Sequence, residues 1–176
     1  MKKFFTMVAL AAMTLTASAQ VYVGGEVGLW RDYDANKTTF TIKPEVGYNL
    51  SDKWGIGTVI GWDYGYSNGV EANGLVVAPY ARYTAAKFGP VNVFLDGGFG
   101  FYTYKVKDAG SSYNAWEVGI KPGVSVNLTE KLSFVSHIGF LGYRDADNGS
   151  VVKWGTDGFG FDVDGNTVTF GLYYNF

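Results

Sequence analysis

Thr167-Val168-Thr169-Phe170-Gly171-Leu172-Tyr173-Tyr174-Asn175-Phe176 alternates without a break. Val168, Phe170, Leu172, Tyr174 and Phe176 fall on one side, and Thr167, Thr169, Gly171, Tyr173 and Asn175 on the other. That is the period of a β-strand with one apolar face. Upstream the same alternation recurs in seven further segments: Val21 to Trp30, Thr39 to Asn49, Trp54 to Tyr66, Leu75 to Tyr83, Val91 to Tyr104, Tyr113 to Asn127 and Leu132 to Tyr143, with the last strand taken from Asn166 to Phe176. Each is about ten residues or longer, the length a tilted strand needs to cross a hydrocarbon layer. The reading is all-β: an eight-stranded antiparallel transmembrane barrel in up-and-down order, over residues 20–176.

The connectors alternate in length. Leu50 to Lys53, Thr84 to Pro90 and Leu128 to Lys131 are short, whereas Tyr33 to Lys37, Ser67 to Gly74, Lys105 to Ser112 and Arg144 to Gly165 are long. Short turns at one end and longer loops at the other are what such barrels show. Within the last loop, Phe159, Phe161 and Val163 alternate ahead of Asp164-Gly165, a type I′ hairpin signal. A ninth crossing would put the carboxy-terminus on the wrong side, so this stretch is expected to be a β extension above the membrane.

Ahead of the barrel, Lys2 and Lys3 precede an apolar run from Phe4 to Leu15 that closes on Ala17-Ser18-Ala19. This predicts a signal peptide over 1–19. The run is too short to span a bilayer, and no second long apolar stretch follows. Removing it leaves roughly 157 residues, and the net charge of -2 becomes about -4 with both lysines gone. A mildly acidic single domain has no pull toward nucleic acid. A mean hydropathy of +0.02, despite many apolar residues, indicates that lipid-facing and water-facing positions cancel. The absence of cysteine is compatible with export but decides nothing.

Lys43-Pro44-Glu45-Val46-Gly47-Tyr48-Asn49-Leu50-Ser51-Asp52-Lys53 is echoed by Lys121-Pro122-Gly123-Val124-Ser125-Val126-Asn127-Leu128-Thr129-Glu130-Lys131. Pro79 takes a similar place in the fourth segment. Proline donates nothing to a ladder and a closed barrel has no edge, so bulges or unpaired partners are expected at these prolines.

Function in the barrel itself would reside on the inward face. Glu26, Lys43, Glu45, Asp96, Lys121 and His137 are expected at similar heights, with Arg82 lower and Asp63 and Glu117 near the long-loop mouth. A barrel of this size is only just wide enough for side chains to fill, so opposite charges should pair and plug it. The rival reading is an ion path or a gate opened by breaking these pairs. His137 invites a catalytic reading beside Ser136, but adjacent strand residues face opposite sides. Ser125 or Ser133 could approach it from the inner wall, though nothing singles either out. Asp145-Ala146-Asp147-Asn148-Gly149 and Asp162-Val163-Asp164-Gly165-Asn166 have the oxygen-rich spacing of calcium loops, yet neither continues into a full twelve-residue site; turn chemistry accounts for both. No metal and no cofactor is expected. Tyr48, Trp54, Tyr83 and Phe176 near the short turns, and Trp62, Tyr64, Phe101 and Trp116 near the long loops, form two interfacial girdles. The inward-phased Tyr80, Phe94, Tyr102 and Tyr173 pack the lumen.

Thr169, Gly171, Tyr174 and Phe176 resemble the terminal signal by which bacterial outer-membrane barrels are handed to their assembly machinery. With the predicted signal peptide, the eight segments and the loop asymmetry, the chain resembles the small outer-membrane barrel families: the porin-like β-barrel domain, the transmembrane domain of outer-membrane protein A, and outer-membrane protein X. The resemblance implies both termini in the periplasm, a closed polar interior, and outer-membrane lipids, lipopolysaccharide and the barrel-assembly machinery as partners. The function expected is a non-enzymatic barrel serving envelope integrity and surface contacts or adhesion, with an extracellular or host ligand met through the loops. Asp145, Asp147, Lys153, Trp154, Phe159 and Phe161 in the longest loop are the candidate contact residues. A small-solute pore and a lipid-modifying enzyme are the alternatives.

Overall fold

Period-two sequences form strands throughout. The structure, a computed structural model, describes residues 20–34, 36–67, 69–107, 112–147, 157–163 and 168–176. The strands are β1 (Val21–Asp32), β2 (Lys37–Asn49), β3 (Trp54–Ser67), β4 (Val70–Phe88), β5 (Val91–Val106), β6 (Ser112–Asn127), β7 (Leu132–His137), β8 (Phe140–Ala146), β9 (Gly158–Asp162) and β10 (Thr169–Asn175). From β1 to β6 each pairs antiparallel with the next. β6 then pairs with β7 at its Asn127 end and with β8 at its Ser112 end. β10 lies beside β7 and β9 beside β8, and β10 meets β1 to close the cylinder. The wall therefore has eight positions in meander order, the seventh shared by β7 and β8 and the eighth by β9 and β10, as the expected barrel requires.

Two expected connectors are strand instead. β3 and β4 stay paired out to Ser67 opposite Val70, so Ser67 to Gly74 is not a loop. β4 continues to Phe88, opposite Val91, leaving only Gly89 and Pro90 to turn. Turn glycines explain both: Gly69 at φ +89° and Gly89 at φ +59° reverse the chain within a few residues, so flanking polar residues stay on the ladder. The expected signal peptide, 1–19, lies outside the described residues.

Each proline falls where pairing lapses. Between β2 and β3 the ladder skips Lys43 and Pro44, and between β4 and β5 it skips Ala78 and Pro79, in each case without a change of register. At Pro122 the register slips. Gly123 faces His137 and Ile120 faces Leu141, so three steps along β6 are matched by four along the seventh position. The extra residue sits at Ile138-Gly139, where Gly139 has φ +79° and the Ile138 amide donates to the Pro122 carbonyl at 2.8 Å. A one-residue bulge turns every later side chain over: Ser133, Val135 and His137 face inward before it, and Phe140, Gly142 and Arg144 after it.

The eighth position corrects the expectation for Gly158 to Val163. β9 is part of the wall: Asp162 faces Phe140 and Gly158 faces Arg144, residues that also flank β6 from Glu117 to Ile120. Three steps from His137 to Phe140 correspond to seven from Thr169 back to Asp162, so four extra residues interrupt the last strand. The alternation in Phe159 and Phe161 was that of a crossing strand broken in two.

Outside, Val46, Ile60, Leu75, Phe99, Val118 and Leu172 stand exposed around the cylinder. Such a belt suits a lipid solvent. Trp54 packs on Tyr83 at 4.9 Å near the short turns; Trp62 lies 6.2 Å from Tyr64, and Trp116 5.2 Å from Tyr143, toward the other end. Among the described residues no helix is long and apolar enough to cross a membrane.

Candidate functional site

The lumen is filled in two tiers. In the tier nearer the short turns, inward aromatic rings lie across glycines. Tyr22, Phe94, Val135 and Tyr173 are buried together with Tyr80 against them. A Cβ added to Gly47 would sit 2.1 Å from the Tyr22 ring, and one added to Gly123 would sit 2.3 Å from Phe94, so only glycine admits these rings. Tyr22 and Tyr173 stack at 5.6 Å.

Arg82 occupies the middle of this tier. Its guanidinium donates two bonds of 2.7 Å to Asp96 and comes within 3.5 Å of Glu45. It lies 4.1 Å from the Phe94 ring centre, and near those of Tyr22, Tyr80 and Tyr173. Glu45 also accepts from the Tyr80 and Tyr173 hydroxyls, and Tyr80 shares a 2.5 Å contact with Tyr22. His137 bridges Asp96, at 2.8 Å, and Glu26, at 3.5 Å. Buried charges need partners, and these carboxylates have several each.

The second tier lies toward the long connectors. Glu117, 3% exposed, accepts from Tyr102 at 2.7 Å, Lys121 at 2.6 Å and Arg144 at 3.1 Å. Arg144 stacks on Phe140 at 3.9 Å and reaches Asp162 at 3.9 Å. Asp63 accepts from Thr41 at 2.7 Å and pairs with Lys43 at 3.8 Å. Among the described residues no buried side-chain polar atom lacks a partner.

The expected heights therefore need revision. Arg82 is level with Glu45 and Asp96 rather than below them, and Lys43 and Lys121 pair with Asp63 and Glu117 instead of joining Asp96. Strand tilt is the reason, because equal distance along the sequence from a turn is not equal height in a sheared cylinder. Arg144 and Asp162 were missed as lumen residues because both fell in the expected last loop, Arg144 to Gly165, whereas they lie on β8 and β9, and the slip sets Arg144 inward. The adjacent apolar pair Phe140-Leu141, which breaks the alternation, was the available signal.

The inner-wall serines have other partners than His137. Ser125 accepts from Asn92 at 3.2 Å, and Ser133 donates to Asn127 at 3.0 Å and accepts from Asn175 at 3.1 Å. Of the terminal-signal residues, Thr169 faces His137 and Gly171 faces Val135, while Tyr174 and Phe176 stand outside with rings 5.1 Å apart. Of the expected contact residues, Asp145 lies on β8 and not in a loop, since that strand runs on to Ala146, and accepts from the Trp116 indole at 3.1 Å; Asp147, just beyond it, accepts from the Asn114 backbone amide at 3.3 Å. Phe159 and Phe161 lie on the outer face of β9, opposite Tyr143 and Leu141. Lys153 and Trp154 lie outside the described residues.

The family model described as outer membrane protein beta-barrel domain matches residues 4–176. No curated protein matches the chain by sequence. Among solved structures, Neisserial surface protein A is similar with a TM-score of 0.52 at 17% identity, covering 90% of this chain and 98% of that one. OmpT, an outer membrane protein of Vibrio cholerae, aligns with a TM-score of 0.44 at 13% identity over 91% of this chain and 52% of its own.

Proposed function

Because the chain belongs to the outer membrane protein β-barrel domain family, we propose that it is a non-enzymatic bacterial outer-membrane barrel with a plugged lumen and periplasmic termini, serving envelope integrity and making surface contacts at its long-connector end. The observation that carries this is the lower tier, where the rings of Tyr22, Tyr80, Phe94 and Tyr173 close around the Arg82 charge cluster. A path for solutes would have to displace several buried rings and ion pairs together. The contacts of His137 with Asp96 and Glu26 give it a structural role in this reading.

Planar-bilayer conductance of the refolded chain, with a heat-dependent gel shift to show folding, tests the plug. A folded, silent barrel is expected. Discrete openings that change with Glu45→Gln or Arg82→Met would replace the plug with a pore. The surface role is tested by replacing Asp147 to Asp157 with a short turn while keeping Gly158 to Asp162 in the wall. Insertion should persist and binding to cells or envelope components should be lost; unchanged binding would remove the connector from the proposal.

A further inference from the structure

Ile56, Ala81, Gly97 and Ile120 form one row across β3 to β6 on the outward face. Two small residues thus stand between two isoleucines, and the wall sinks there into a dent of about 340 Å³ bounded by Trp54, Ala81, Tyr83, Leu95, Gly97 and Ile120. Nothing in the fold asks for glycine at 97. Its neighbour Gly98 lies under the Tyr80 side chain and the Pro79 carbonyl, whereas a Cβ added to Gly97 would meet nothing within 4 Å, and Gly97 is not among the glycines with positive φ. A glycine inside a strand weakens the sheet, having no side chain to pack and more freedom to lose than alanine. At 97 it gives up that stability and leaves a hollow on the lipid-facing side.

The next row toward the short turns, Trp54, Tyr83 and Leu95, closes the dent on that side. Trp54 and Tyr83 pack at 4.9 Å; one ring carries an indole N–H and the other a phenol O–H, and neither is hydrogen-bonded among the described residues. Rings with one polar edge mark the depth where hydrocarbon gives way to water. Lys53 stands just beyond them. Its carbonyl accepts from the Thr84 amide at 2.8 Å, which holds it beside the Tyr83 end of β4, and its side chain is exposed, with no ion-pair partner among the described residues. Asp52 is one residue farther into the turn. In order of depth the wall presents an apolar hollow, two neutral donors and a cation. A phospholipid presents its acyl chain, ester carbonyls and phosphate in the same order.

We propose that the dent binds one acyl chain of an anionic phospholipid from the leaflet at the short-turn end, with Trp54 and Tyr83 donating to its ester carbonyls and Lys53 meeting its phosphate. A head group of net negative charge is favoured because a zwitterionic one brings its own ammonium to compete with Lys53. The site rests on the reading of the chain as a membrane barrel. A chain that fails the gel shift fails that reading, whereas a folded barrel without lipid preference fails this inference alone.

Because the chain has no cysteine, a bimane placed by Ile56→Cys reports beside the dent, and one placed by Leu172→Cys reports on the outer wall away from it. The full barrel in uncharged maltoside micelles is titrated with phosphatidylglycerol or phosphatidylethanolamine carrying brominated chains, each variant first passing the gel-shift test. Phosphatidylglycerol should quench position 56 saturably and at lower mole fraction than position 172, and at lower mole fraction than phosphatidylethanolamine does. Lys53→Gln should weaken its quenching about threefold, the worth of an exposed ion pair. Gly97→Val fills the hollow and should abolish the difference between the two positions while the unfolding midpoint holds or rises; if that variant fails to fold, Ala81→Leu fills the same space. Equal quenching at 56 and 172, a preference that survives the filled hollow, or phosphatidylethanolamine matching phosphatidylglycerol would each overturn the proposal. Dimers in light scattering that Gly97→Val disperses would assign the dent to a second copy of the chain and overturn it as well.

Discussion

Replacing Arg82 with methionine removes the guanidinium that faces both Asp96, through two bonds of 2.7 Å, and Glu45, at 3.5 Å. Removing one partner of a buried ion pair costs about 3–5 kcal/mol, because the remaining charge stays desolvated. Here Asp96 keeps His137 at 2.8 Å and Glu45 keeps two tyrosine hydroxyls, so neither carboxylate loses every donor. That places the charge term near the lower limit, about 3 kcal/mol. Loss of the cation over the Phe94 ring adds about 0.5–2 kcal/mol, part of which methionine recovers by packing. Denaturant unfolding in vesicles, followed by gel shift, should therefore show a loss of about 3–4 kcal/mol. Adding Glu45→Gln and Asp96→Asn removes the stranded charges and should restore at least half of it. Both variants should stay electrically silent, since the four rings remain. A single variant that keeps the wild-type midpoint, or that conducts while folded, would show that the cluster is a gate and refute this account of it.

Gly47→Val should destabilise by about 1–3 kcal/mol or more through collision with the Tyr22 ring, and Tyr22→Ala in the same chain should restore folding; failure of that rescue would separate Gly47 from the ring. Deleting Gly139 should turn the outer seventh strand over and send Arg144 to lipid at a cost of about 2–4 kcal/mol, seen as a lost gel shift. His137→Gln should cost less than Arg82→Met, and the two should be coupled by about 0.5–3 kcal/mol through Asp96, so strict additivity in unfolding midpoints would contradict the shared cluster. Phe176→Ser should lower outer-membrane levels in cells yet leave refolding in vesicles within about 0.5 kcal/mol, since the ring touches Tyr174 on the exposed face; equal losses in both would make the residue structural and not a signal.

The barrel was legible because a two-sided wall writes its geometry into every second residue. Phe170, Leu172 and Tyr174 against Gly171 and Tyr173 needed no knowledge of neighbouring strands, and neither did the inward assignment of Tyr80, Phe94, Tyr102 and Tyr173. The partners in the lumen were less legible. Which carboxylate Arg82 meets depends on strand tilt and on the shear of the closed cylinder, properties of the register between strands that no single strand encodes. The connectors misled in the opposite sense: polar residues such as Glu71 and Asn73 read as loop, yet they stay on the ladder because Gly69 closes the hairpin beyond them.

The one-residue slip opposite Pro122 does more than relieve a missing donor. It reverses the parity of the seventh strand, so Arg144 turns inward beside Glu117 and Tyr143 turns outward beside Trp116. The eighth strand must follow the same neighbour on both sides of the slip, and its two halves are joined by four residues more than a straight strand would use. β10 retains its contact with β1, and β9 follows β8 without reaching β1 in the described pairings. A proline in the sixth strand, a glycine in the seventh and an insertion in the eighth are thus steps of one structural event. The lower half of the cylinder closes around an aromatic plug, while the upper half carries the Glu117 cluster, with Arg144 brought to it by the slip.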